Sequence, residues 1–117
     1  MLMKLCVVWL WGLFSSSIWA ATHHPQVFLK EIQHSAKPEE EIYKHFCSNC
    51  HASHPMIPLG APRLGDAKAW QLRMAKGKKQ LLEHTLNGYR LMPARGGCFE
   101  CSDAQLEAVV DWMMSKR

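Results

Sequence analysis

The segment Cys47-Ser48-Asn49-Cys50-His51 constrains this chain more than any other feature of its sequence. Two thiols separated by two residues near a helix end can form thioether bonds with the two vinyl groups of one haem. A histidine directly after the second thiol can then bind the iron from the same side. The motif therefore predicts one covalent haem c, attached through Cys47 and Cys50, with His51 as the proximal ligand.

Three other interpretations of the cysteines remain open on the motif alone. A thioredoxin-type redox pair needs a surrounding βαβ pattern, which the sequence lacks. A plain disulfide is the second. The third is a zinc site, which requires four nitrogen or sulfur ligands. Four cysteines that could supply them are Cys47, Cys50, Cys98 and Cys101.

Length and charge narrow the class of protein further. The 117 residues make one small domain, too short for a TIM barrel, a kinase or a dinucleotide-binding unit with a substrate domain. The net charge of +4 is too mild to indicate a nucleic-acid partner. Charged residues at 21% and hydrophobic residues at 48% are typical of a folded protein rather than a disordered one.

The first twenty residues have the composition of a secretory signal peptide. Lys4 is the only charge before Lys30, and an apolar run from residue 5 to 14 leads into small residues that end at Ala20. We therefore expect cleavage near Ala20 and a periplasmic protein. The alternative, a retained membrane anchor, needs about 20 apolar residues, which this run does not reach.

The remaining residues predict an all-α fold. We expect an N-terminal leader or short helix over residues 21–37 and a domain over residues 38–117 that wraps four to five helices around the haem. Three local signals place the helices of that domain: apolar spacing, acidic first turns and glycines at helix ends. The first helix runs from Pro38 to Cys47 and the second from Asp66 to Gly77. The third runs from Lys79 to Asn87, and the last begins at a Ser102–Gln105 capping box.

A haem used for electron transfer needs a sixth iron ligand from the opposite side of the ring. Met113 lies on the apolar stripe of the last helix, where core packing is its expected use. Met92 lies on a loop far downstream of His51, and Pro93 stiffens the backbone beside it. Met92 is therefore the predicted ligand, and a His/Met pair leaves no open iron position for a substrate. The alternative is a catalytic or sensory haem protein whose sixth ligand is labile.

Taken in order, these motifs resemble a class I c-type cytochrome, within that class the small bacterial cytochrome c5 type. The resemblance covers roughly residues 38–117 and rests on Cys47 to His51, Gly60-Ala61-Pro62-Arg63-Leu64-Gly65-Asp66, Trp70, and Met92-Pro93-Ala94-Arg95-Gly96-Gly97-Cys98-Phe99-Glu100-Cys101-Ser102-Asp103. It implies an electron carrier, not an enzyme, and agrees with His51 and Met92 as the axial ligands.

The resemblance also implies roles for residues around the haem. It implies a disulfide between Cys98 and Cys101. No histidine follows Cys101, so this second cysteine pair is not a second haem site. Pro62 resembles the proline whose adjacent carbonyl orients the proximal histidine. Trp70 resembles a tryptophan that packs against the haem and donates to a propionate, with simple core packing as the alternative. Two roles are equally consistent with Arg63: an ion pair with a haem propionate, and a solvated side chain at the surface.

One departure from the family concerns the crossing of the first and last helices. Relatives carry a glycine there, whereas the matching position of this chain, counted from Cys47, is Glu39. Tyr43 and Trp112 remain able to form the aromatic contact between those helices.

Charge distribution predicts the kind of partner. The segment from Arg63 to Arg95 contains eight basic and two acidic residues, so we expect redox partner proteins with acidic docking surfaces. We expect no nucleic-acid partner, membrane contact only through membrane-bound redox complexes, and a monomer or weak dimer. A mature N-terminus Ala21-Thr22-His23 also has the pattern of a minor copper or nickel site.

Overall fold

The computed structural model describes residues 22–116, so the predicted signal peptide over residues 1–20 lies outside the described residues. Within that range the chain is helical, has no β-strand, and contains no helix with the length and apolar character needed to cross a bilayer. The α-helices are α1 Pro25–His34, α2 Pro38–Ile42, α3 Ser48–His51, α4 Ala67–Met74, α5 Lys78–Asn87 and α6 Asp103–Ser115. The predicted all-α fold is confirmed.

The helix that carries the cysteine motif changes its winding along its length. It begins at Pro38, which tolerates the first turn, and acidic residues follow in that turn, where the helix dipole favours them. A π-helical stretch, Tyr43–Cys47, then joins α2 to α3 without a break. Wide turns of this kind are frequent at functional sites, and this one ends at the first cysteine of the motif.

The centre of the core lies where α2 and the π-helical stretch meet α6. Ile42, Leu106 and Val109 are all buried there. The rings of Tyr43 and Trp112 lie 5.1 Å apart between centroids, which confirms their predicted contact. Glu39 lines a cavity of about 200 Å³ against α6, and its neighbours on that helix include Ala104 and Ala108. Position 39 therefore faces small residues of α6 across this cavity.

The last helix follows its predicted pattern. The Ser102 hydroxyl accepts from the Gln105 backbone N–H at 3.2 Å, and the Gln105 side chain accepts from the Ser102 N–H at 2.7 Å, so the capping box is present. The predicted stripe of α6 is buried, and Met113 packs in the core as expected.

The segment over residues 21–37, predicted as a leader or short helix, contributes to the core through α1. Phe28 and Ile32, one helical turn apart, are both buried. The Phe28 ring lies 5.3 Å from the Phe46 ring and 4.8 Å from the His45 ring between centroids. The folded unit therefore starts before residue 38.

Candidate haem-binding site

One large cavity opens between the cysteine motif, α4, α5, the loop after α5, and α6. Its volume of about 730 Å³ falls within the roughly 300–1,000 Å³ typical of ligand and cofactor sites. Its walls are mainly apolar. Every residue predicted to bind the haem lines it: Cys47, Cys50, His51, Pro62, Trp70 and Met92.

Two free thiols lie at one wall of this cavity. Cys47 ends the π-helical stretch and Cys50 lies in α3, and both are half-buried. Burial raises the pKa of the Cys47 thiol to about 12, and the neighbouring Cys50 adds to the rise. Two thiols on one short helical segment, facing an apolar cavity of this size, fit a covalently attached haem.

His51 is held in one orientation by the loop that crosses it. Its Nδ1 lies 2.8 Å from the carbonyl oxygen of Pro62, and a carbonyl can only accept, so Nδ1 carries the proton and Nε2 keeps its lone pair. The Leu64 backbone N–H donates to the His51 carbonyl at 2.7 Å. Burial lowers the pKa of His51, although the Pro62 carbonyl opposes the shift. The neutral imidazole is the form that binds metal.

Trp70 packs at the same wall, and its N–H is hydrogen-bonded to the loop that crosses His51. The indole is stacked on the His51 ring, 5.9 Å between centroids, and is only 6% exposed. Its Nε1–H donates to the backbone carbonyl of Arg63 at 2.8 Å. This bond fixes the loop against α4, and donation from Trp70 to a propionate stays a prediction. The Arg63 side chain itself is exposed.

Met92 is presented by a tight reversal of the chain after α5. Tyr89 and Met92 exchange two backbone hydrogen bonds of 3.1 and 3.0 Å, and Met92 is half-buried at the cavity wall. Gly88, just before the turn, has a φ of +82°, and a Cβ there would lie 3.0 Å from the Met92 carbonyl oxygen. Only glycine fits this close approach without strain.

The second cysteine pair follows this loop directly. Cys98 and Cys101 are joined by a disulfide and are both buried. A four-cysteine zinc site is therefore not available, because two of its thiols are consumed. Across residues 22–116 no group of three or more His, Cys, Asp or Glu side chains is arranged to hold a metal.

Sequence reasoning did not identify His84 and Phe46 as cavity residues, and it did not predict the contacts of His23. His84 stacks on Tyr89 with ring centroids 3.9 Å apart, and it follows the inward Leu81 by three residues, a helical spacing that could have indicated it. Phe46 lines the cavity next to Cys47. His23 packs 5.4 Å from the Phe46 ring and pairs with Glu100, whereas Ala21 of the predicted copper site lies outside the described residues.

Comparison with known proteins agrees with this geometry. Residues 34–113 match the family described as cytochrome c oxidase, cbb3-type, subunit III. Cytochrome c5 of Azotobacter vinelandii is 36% identical over 80 residues, covering 67% of this chain and 93% of that protein. Cytochrome c-555 of Chlorobaculum tepidum is 33% identical over 87 residues, covering 71% of this chain and 78% of that protein.

A solved structure extends the likeness to three dimensions. The chain superposes with a TM-score of 0.59 and 40% identity on a chain from an electron transfer complex of nitrite reductase with cytochrome c, covering 67% of this chain and 91% of that one. The relatives are small electron-transfer proteins whose family binds haem c covalently. In this chain the matching attachment motif is Cys47–Cys50. The chain belongs to this cytochrome c family and is a class I monohaem c-type cytochrome that carries electrons.

Proposed function

We propose that this cytochrome carries single electrons between exported redox proteins, with His51 and Met92 as the two axial ligands of its iron. One observation carries the proposal: both side chains line the cavity that also contains the Cys47 and Cys50 thiols. Bound haem c supplies a one-electron iron couple. The protein's part is to hold the haem, set its ligands and admit a partner to its edge.

The two proposed ligands are prepared in different ways. His51 offers Nε2 because its other nitrogen donates to Pro62, a bond that also raises the basicity of the ligand. Met92 offers a thioether sulfur, a soft ligand that stabilises the reduced iron and raises the potential relative to a second histidine. With both in place the iron has no free position, so the expected chemistry is electron transfer rather than catalysis.

The test is an absorption spectrum of the haem-loaded protein and of its Met92→Ala variant. We expect a sharp reduced c-type band in both, a weak sulfur–iron band at the red end of the oxidised parent spectrum, and loss of that weak band in the variant. Met56→Leu is the matched control, because Met56 is 85% exposed and does not line the cavity. A parent protein without the weak band would contradict Met92 ligation and favour a sensory or catalytic haem protein.

Export to the periplasm is the second part of the proposal. Its support is the basic start, apolar run and small-residue exit of residues 1–20, together with a disulfide in the folded domain. Mass spectrometry of the mature protein should then give residue 21 as the first residue. A mass that retains residues 1–20 would contradict cleavage and favour an anchor.

The cavity rim is the proposed docking surface for an acidic redox protein. Leu72 and Leu91 line the cavity and are each 68% exposed, so they offer apolar contact area. Arg73 and Lys76 line the same rim and add positive charge. The matched complex with nitrite reductase concerns another cytochrome, but it supports a redox enzyme as the class of partner.

A further inference from the structure

We propose that Arg95 is a positioning residue that clamps the Met92 loop to the disulfide and to α6, and thereby keeps the methionine on the iron. The inference rests on the proposed ligation by Met92. Arg95 follows Met92 by three residues and also lines the cavity.

The backbone conformation of Arg95 favours glycine, which indicates that an arginine is kept there for its side chain. Its φ is +60°, in the left-handed region, and Gly96 and Gly97 after it also have positive φ values of 58° and 88°. Glycine adopts this conformation readily, whereas a residue with a Cβ does so at a cost. Strained residues of this kind persist where the surrounding structure holds them and cluster at functional sites.

The guanidinium of Arg95 fixes the end of the Met92 loop to two neighbouring segments. Its Nη2 donates to the backbone carbonyl of Cys101 at 2.6 Å and pairs with the Asp103 carboxylate at 2.8 Å. The Arg95 side chain is only 23% exposed, so its bond to Cys101 is partly shielded from water, whereas the Asp103 side chain is 71% exposed. Cys101 belongs to the buried disulfide and Asp103 to the first turn of α6. One nitrogen therefore ties the end of the Met92 loop to the disulfide and to α6.

The clamp should affect how often the methionine leaves the iron. Imidazole added from solution binds the iron only when Met92 is displaced, so its apparent affinity scales with the fraction of molecules in which the loop is open. For Arg95 to act as a clamp, its bond to Cys101 must break when the loop opens. Removal of a charge-assisted hydrogen bond should raise the open fraction, and with it imidazole affinity, by about tenfold or more.

Four variants of the haem-loaded protein separate the clamp from other roles. Arg95→Ala removes the guanidinium, and Arg95→Lys keeps one cationic donor and should restore part of the effect. Arg95→Gly removes the guanidinium but suits the left-handed backbone. Arg90→Ala is the matched control: Arg90 is a second arginine of the same loop with positive φ, +55°, and its guanidinium lies 5.3 Å above the Tyr89 ring.

The readouts are imidazole affinity and the weak sulfur–iron band. We expect both Arg95→Ala and Arg95→Gly to raise the affinity and weaken the band, Arg95→Lys to lie between them and the parent, and Arg90→Ala to match the parent. A purely structural role would lower the unfolding midpoint and leave imidazole affinity unchanged, and it would overturn the proposal. So would an Arg95→Gly variant that matches the parent, or an Arg90→Ala variant that matches Arg95→Ala.

Failure of this proposal and failure of Met92 ligation give different results. If Met92 is not the ligand, the parent itself lacks the sulfur–iron band and binds imidazole tightly. If Met92 is the ligand but Arg95 is not the clamp, the parent has the band and weak imidazole binding, and the Arg95 variants keep both.

Discussion

The acceptor that orients His51 is a main-chain carbonyl, not a side chain. Pro62 contributes its own carbonyl at 2.8 Å from Nδ1, and the N–H of Leu64, two residues later, donates to the His51 carbonyl. Replacement of the Pro62 side chain therefore leaves the acceptor in place and acts only through the path of the loop. The orientation of His51 depends on loop geometry as a whole, in which the Trp70–Arg63 bond also takes part.

The pH dependence of stability follows from the burial of His51. Its pKa is lowered in the folded protein, mainly by desolvation, so the unfolded chain takes up a proton that the folded chain excludes. The free energy of unfolding should therefore fall as the pH drops through about 6.5, by at most about 1.4 kcal/mol per pH unit for this proton. Iron ligation acts in the same direction, because it also requires the neutral ring.

Denaturant unfolding of the haem-loaded protein between pH 8 and pH 5 measures this effect. His54→Gln is the control, since the His54 side chain is exposed and its replacement should leave the slope unchanged. A stability that stays level or rises as the pH is lowered over this range would contradict the assignment.

At the scale of elements, the turn that presents Met92 depends on Gly88. Gly88→Ala places a methyl group 3.0 Å from the Met92 carbonyl oxygen and the Ala94 nitrogen, in addition to the cost of a φ of +82°. We expect destabilisation by more than the roughly 1–2 kcal/mol of the left-handed conformation alone, and a weaker sulfur–iron band.

Gly77→Ala is the matched comparison for this variant. Gly77 has a similar φ of +92°, nothing lies within 4 Å of its added Cβ, and it does not line the cavity. Its denaturation should show the conformational cost only, with the sulfur–iron band unchanged. Equal losses of stability in the two variants would mean that crowding at the Met92 turn has no effect.

Most helices and their caps could be predicted from the sequence because their signals are local. Asp66 accepts from the Ala69 N–H as a helix cap, and the Ser102 box is present as predicted. The π-helical stretch could not be foreseen, since its residues carry no marker that separates it from an α-helix. Helix α1 has four apolar residues, of which Phe28 and Ile32 are buried, and Phe28 packs on Phe46, which lies outside this helix.

The candidate site was predictable in its composition and less so in its bonds. The cysteine motif and a Met-Pro loop are short sequence patterns, so the candidate haem-binding residues could be named in advance, whereas the cavity residues Phe46 and His84 were missed. The partner of the Trp70 N–H and the clamp at Arg95 could not be named, because each joins a side chain to the main-chain carbonyl of a nearby irregular segment, seven and six residues away. Such contacts depend on how loops fold over one another, which residue spacing does not encode.

At the scale of the whole molecule, the basic rim should control the rate of electron transfer with anions. Oxidation by hexacyanoferrate(III), which is strongly negative, should slow by about tenfold as ionic strength rises from low to physiological values. Oxidation by a cationic cobalt(III) complex should not slow. Stopped-flow rates over a salt series measure both, and a rate with hexacyanoferrate(III) that is independent of salt would contradict the docking proposal.

Two lysines test whether the rim itself matters, beyond net charge. Lys76 lines the cavity, whereas the Lys78 ammonium lies 2.9 Å from both Glu107 and Asp111, on the other side of the turn before α5. Lys76→Ala should reduce the salt dependence more than Lys78→Ala, although both remove one positive charge. Equal effects would indicate that only the net charge steers the reagent.

The pairing of Tyr43 with Trp112 has a consequence for the order of events during synthesis. The chain leaves the ribosome N-terminus first, so Cys47 and Cys50 emerge long before α6, whose residues complete the wall opposite them. Until α6 is in place, the wall that it forms is missing from the cavity. The order of the elements therefore leaves the cysteines more accessible for covalent attachment before α6 packs than after it.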